Sequence, residues 1–91
     1  MSDNNATDNS AVVKVFSADW CGFCRMVKAY LTSKEVEFEV VDIDKDPAKA
    51  DELREMTGQA GIPVTLFGDK EFVIGFDRGR IDEMLREYDL A

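Results

Sequence analysis

A change of hydrophobic period along residues 11–41 constrains this chain more than any other feature. Ala11-Val-Val-Lys-Val-Phe16 is β-branched and apolar, short enough for a buried strand. From Gly22 to Ser33 the apolar residues Cys24, Val27 and Leu31 recur at helical spacing, with Phe23 and Tyr30 beside them and Arg25, Lys28 and Thr32 as a polar stripe. That span predicts a helix. Val36 to Val41 (VEFEVV) alternates and then turns apolar, which predicts a second strand. Strand, helix and strand within about thirty residues form a unit whose strands run parallel with a right-handed crossover.

Downstream, Asp42 to Pro47 (DIDKDP) alternates acids as a calcium loop does, but the sixth and twelfth places hold Pro47 and Leu53 instead of glycine and glutamate. The segment reads as a solvated loop in which Asp46 caps a helix from Pro47 to Thr57, ended by Gly58. Ile62 to Phe67 and Glu71 to Ile74 are short apolar strands joined by Gly68-Asp69-Lys70, an antiparallel hairpin. Asp77 caps a last helix that carries Ile81, Leu85 and Tyr88 at helical spacing. The predicted order is βαβαββα.

With 91 residues the chain can bury one modest core, and its 19 acidic against 11 basic residues give a net charge of −8. Such a surface repels phosphate backbones and anionic lipid, so neither nucleic acid nor a membrane is an expected partner. The opening MSDNNATDNS lacks Lys, Arg and any apolar block, so it predicts a disordered tail over residues 1–10, a domain over residues 11–91, and a cytoplasmic protein. There is no histidine, which leaves carboxylates, thiols and hydroxyls to do any chemistry.

Cys21 and Cys24 are the only cysteines. A structural disulfide does not persist in a reducing cytosol, and one this short closes too small a loop to restrict the unfolded chain. Two thiols without histidine supply half of a closed zinc site, so no metal site is expected within one chain. A redox pair or a metal shared between two chains remains, against the bland alternative of two inert helix cysteines. Cys21 falls at the start of the helix, where free N–H groups and the helix dipole stabilise a thiolate, so it is the candidate nucleophile. Cys24, one turn inward on the apolar face, is the candidate resolving thiol.

The motifs WCGFC, GIPV and VIGFD, spread between Val12 and Leu85, together resemble a small glutaredoxin of the thioredoxin-fold superfamily. The resemblance implies an α/β thioredoxin fold, a four-stranded mixed sheet flanked by helices. It also implies a monomeric thiol-disulfide oxidoreductase that reduces protein or mixed disulfides through Cys21 and Cys24. Further, it implies a cis proline at Pro63 packed opposite the cysteines, with the Ile62 backbone pairing to the substrate chain. The substrate-binding residues expected with these are Trp20, Gly22, Phe23, Gly75, Phe76 and Asp77. Thioredoxins themselves carry a buried aspartate where this chain has Val15, so glutaredoxin is the closer match.

Glutathione-binding members usually carry a lysine, a Thr-Val-Pro segment and a Gly-Gly pair where this chain has Ala18, Gly61-Ile62-Pro63 and Gly75-Phe76. The Gly-Phe pair is similar to that of glutaredoxin-like proteins reduced by thioredoxin reductase. Both donors, thioredoxin reductase and glutathione, stay open, and no tightly bound cofactor is expected. Gly22-Phe23 also resembles the CGFS site of monothiol glutaredoxins, which carry an iron-sulfur cluster between two chains. Cluster carriage through Cys21 with glutathione is therefore the alternative function, and retention of Cys24 argues against it. Phe23 is expected in an exposed docking rim, and Trp20 either in that rim or capping the core. Arg25 and Lys28 are expected on the solvated helix face, and Met26, Met56 and Met84 as core or near-core filler.

Overall fold

The structure, a computed structural model, describes residues 13–68 and 71–90. Its elements are β1 (Val13–Ser17), α1 (Gly22–Ser33), β2 (Glu39–Asp42), α2 (Pro47–Thr57), β3 (Val64–Phe67), β4 (Glu71–Ile74) and α3 (Arg78–Glu87), the βαβαββα order expected. They build one mixed sheet in the order β2-β1-β3-β4. β1 and β2 are parallel, with Ser17 opposite Asp42. β3 is antiparallel to β1, with Val64 opposite Phe16, and β4 is antiparallel to β3, with Ile74 opposite Val64. The N-terminal tail, the first two residues of the first predicted strand, and Asp69 and Lys70 of the hairpin lie outside the described residues.

Side chains alternate across a strand, so β1 feeds two cores. Val13 and Val15 pack with Val27 and Leu31 of α1 and with Ile81, Met84 and Leu85 of α3. Phe16 points the other way, into a smaller cluster with Val41, Val64, Leu66 and Leu53 of α2. α1 and α3 thus cover one face of the sheet and α2 the other. No helix among the described residues is long and apolar enough to cross a membrane.

Four expectations need correction. The second strand begins at Glu39 instead of Val36, because the Val36 N–H closes α1 by donating to the Leu31 carbonyl (3.0 Å) while its side chain enters the larger core. β3 begins at Val64 instead of Ile62, since Pro63 has no N–H to give the ladder. Asp46 stands at the N-cap of α2 but its carboxylate makes no capping bond there. The acid that organises this loop is Asp42, whose Oδ1 accepts from the Asp44 N–H (2.9 Å) and the Lys45 N–H (3.2 Å). Met84 is buried and Met56 packs on the smaller core, but Met26 is 46% exposed on the face of α1 turned away from the sheet. The stop at Gly58 (φ 78°) and the cap at Asp77, whose Oδ1 accepts from the Arg80 N–H at 3.2 Å, are as read from the sequence.

Candidate active site

The chain leaves β1 at Ser17, turns through Ala18-Asp19-Trp20, and enters α1 with Cys21 as its N-cap residue. The turn is closed by the Cys21 N–H donating to the Ala18 carbonyl at 3.1 Å. Cys21 does with sulfur what serine or aspartate usually does at this place: its Sγ accepts from the Cys24 N–H at 3.2 Å. A backbone donor and the positive end of the helix dipole therefore both address this sulfur, an arrangement suited to one that carries negative charge.

Both thiols are free, Cys21 7% exposed and Cys24 fully buried. The Cys24 thiol is pushed up to about 12, chiefly by burial and next by its hydrogen bond with Cys21; the Ala18 backbone and the Lys28 charge oppose this without cancelling it. Near neutral pH Cys24 holds its proton. The two cysteines are thus unequal: Cys21 lies at the helix start with a sliver of exposure, and Cys24 lies fully buried one turn further in.

Two tethers fix the loop that carries Cys21. The Trp20 indole N–H donates to Asp44 Oδ2 at 2.7 Å, and the Arg25 guanidinium donates from Nη1 to the Asp19 carbonyl at 3.0 Å. Arg25 is therefore more than solvated surface. Trp20 and Phe23 are 68% and 62% exposed, so both belong to an apolar rim. At Gly22 an added Cβ would meet only Arg25 Nη2, at 4.0 Å, so packing does not demand glycine there.

The register brings the remaining predicted residues to the same end of the sheet. The Ile62-Pro63 bond is cis, and Pro63 is buried one residue beyond the Val64–Phe16 pair, alongside the strand end that leads to Cys21. The Gly75 N–H donates to the Pro63 carbonyl at 2.8 Å, and Gly75 adopts φ 82°, which favours glycine. Phe76 is half-buried, its ring edge-on to Tyr30 at 6.1 Å between centroids. Tyr30 in turn donates its hydroxyl to Asp82 of α3, which raises the Tyr30 pKa and ties α1 to α3.

Asp44, Arg25 and Tyr30 are participants that the sequence reading missed. Nothing local marks Asp44 in the sequence; only the parallel register seen in the structure, which pairs Ser17 with Asp42, carries it alongside Trp20. A groove of about 480 Å³ lies between β2 and α2, lined by Lys14, Phe16, Val41, Lys49, Met56 and Leu66 among others; neither cysteine lines it. No group of three or more metal-ligating side chains occurs among the described residues.

Comparison with known proteins gives these features a context. The glutaredoxin family profile matches residues 13–73. Glutaredoxin 3 of Escherichia coli is 31% identical over an alignment spanning 84% of this chain and 99% of that protein. Among solved structures, the glutaredoxin of Archaeoglobus fulgidus superposes with a TM-score of 0.77 at 26% identity, covering 84% of this chain and 87% of that one. The glutaredoxin-like NrdH-redoxin of Escherichia coli, a protein with a thioredoxin-like activity profile, superposes with a TM-score of 0.71 at 25% identity, covering 78% and 91%. With a dithiol at a helix start and a cis proline at the same end of a four-stranded mixed sheet, the chain belongs to the glutaredoxin family.

Proposed function

We propose that this protein reduces disulfides of protein substrates in a reducing, cytoplasmic setting through Cys21 and Cys24, and that thioredoxin reductase rather than glutathione returns it to the dithiol. The observation that carries the reading is the unequal pair: Cys21 Sγ at a helix start with a backbone donor, and Cys24 buried beneath it with its proton retained. In the first step the Cys21 thiolate attacks one sulfur of the substrate disulfide; a Cys21–substrate bond forms, the substrate S–S bond breaks, and the other substrate sulfur leaves as thiolate. That step removes the charge on Cys21. Two of the influences that hold the Cys24 proton, the hydrogen bond with Cys21 and its charge, go with it, while burial remains. Cys24 then gives its proton to the departing thiolate and attacks Cys21 Sγ, releasing the second substrate thiolate and leaving a Cys21–Cys24 disulfide. Two electrons have passed to the substrate.

The donor assignment is supported by Ala18, an uncharged buried residue where glutathione-binding members carry lysine, and by the Phe76 ring packed against Tyr30. It is supported also by likeness to NrdH-redoxin. Regeneration of the oxidised protein by thioredoxin reductase with NADPH, compared with glutathione and its reductase, tests it: the reductase is expected to give the faster turnover. Faster turnover with glutathione would reverse the donor assignment. A coloured dimer on anaerobic reconstitution with iron, sulfide and glutathione, lost in Cys21→Ser, would instead favour cluster carriage.

A further inference from the structure

Trp20 joins two properties: its ring is 68% exposed, yet its one polar atom is held by a carboxylate 24 residues away. An exposed indole left to itself keeps its rotamer freedom, and fixing it costs entropy that its own solvation does not return. We propose that Asp44 is a positioning residue that holds the Trp20 ring as a rigid platform beside Cys21 and so sets the recognition of protein disulfides. This deepens, and rests on, the oxidoreductase reading above.

The tether is short at both ends. From Ser17 the chain reaches Trp20 in three residues, while across the sheet the Ile43 N–H donates to the Ser17 carbonyl at 3.0 Å and Asp44 follows. Asp44 is itself held, since its N–H donates to Asp42 Oδ1 at 2.9 Å and Asp42 pairs with Ser17 in the ladder. Ser17, Trp20, Asp44 and Ile43 therefore form a closed circuit of covalent and hydrogen bonds. Arg25 fixes the same turn from the other side through the Asp19 carbonyl. Among the acids of this loop, Asp42 is committed to the turn and to Lys45 (4.0 Å), and Asp46 lies at the N-cap of α2. Asp44 is the one turned to the cysteines' neighbour. A ring already ordered loses less freedom when a protein surface docks on it, so the bond should act on binding more than on bond exchange.

The chain has a single tryptophan, so its fluorescence reads this ring directly. Asp44→Ala is expected to lower the steady-state anisotropy of Trp20, increase its quenching by acrylamide, and raise KM for insulin disulfides by roughly three- to tenfold with a smaller change in kcat. Asp44→Asn keeps an acceptor for the indole N–H and should restore both readouts. In a Trp20→Phe background, which has no N–H to hold, Asp44→Ala should raise KM no further. Wild-type anisotropy in Asp44→Ala would overturn the tether. A lowered anisotropy with unchanged KM, or a full additional KM effect in the double variant, would overturn the recognition role. If the wild type fails to reduce insulin, the oxidoreductase reading fails, while anisotropy still decides whether Asp44 holds the ring.

Discussion

Phe76 is the side chain on which the proposed choice of electron donor turns. Its ring lies edge-on to Tyr30 and packs on the larger core, filling space beside the Gly75–Pro63 contact that a glycine would leave open. Phe76→Gly is expected to raise turnover with glutathione by about tenfold, which requires only about 1.4 kcal/mol of differential binding, and to slow reduction by thioredoxin reductase. The two regenerating systems run on the variant check this, and unchanged glutathione turnover would mean the ring obstructs nothing. The helix-start position of the cysteines and the cap at Asp77 were legible in the sequence because each follows from local chemistry, whereas the cis bond at Pro63 was expected only through the family resemblance. The tethers at Asp44 and Arg25 were not, because an isolated acid or base carries no sign of which backbone or ring it will meet. Met26 was misread for a related reason: a helix's apolar residues do not say how far round the partner surface extends.

At the scale of elements, the hairpin and its neighbours store two opposite effects. Thr65 in β3 is fully buried among apolar residues and its hydroxyl has no partner among the described residues. Thr65→Val removes that unsatisfied group at nearly constant shape and should stabilise the protein by about 1 kcal/mol, seen as a higher denaturant midpoint at unchanged slope. Gly68, after β3, adopts φ 67°, and an added Cβ would lie 3.0 Å from the Tyr88 hydroxyl. That hydroxyl directs its one proton between Glu71 Oε1 at 2.8 Å and the Phe67 carbonyl at 3.2 Å, fastening the end of α3 to the hairpin. Gly68→Ala should therefore cost about 1–2 kcal/mol by the same measurement, through backbone strain and a displaced Tyr88. Periodicity, apolar runs and helix end signals together located every strand and helix described, while the ends differed where a backbone group had another use. Val36 is apolar and strand-like, but its N–H closes α1; Ile62 is β-branched, but the following proline interrupts the ladder.

For the whole molecule, burial of Cys24 makes stability depend on pH and on oxidation state. Its thiol ionises near the ordinary 9.0 in an unfolded chain but at about 12 in the folded dithiol, so between these values the unfolded chain has released the proton and the folded one has not. The contribution is complete below about 9 and is lost as pH rises toward 12. Reduced wild-type protein should thus lose stability over that window more steeply than reduced Cys24→Ala, by at most about 1.4 kcal/mol per pH unit for one proton. Chemical denaturation at a series of pH values checks it, and equal slopes would contradict the shielding of Cys24 that its complete burial implies. The global topology was legible because the strand-helix-strand unit and the hairpin leave few ways to join four strands. The shared end of the sheet, where residues from four connections meet, appears only once the register is known. The division of labour between the two thiols at that end is the central claim, and intact mass measurement with peptide mapping after brief exposure to a protein disulfide tests it most directly. Wild type should appear two hydrogens lighter, as the internal disulfide, and Cys24→Ser should carry substrate bound at Cys21. An adduct mapped to Cys24, or disulfide reduction by Cys21→Ser at the wild-type rate, would contradict the account.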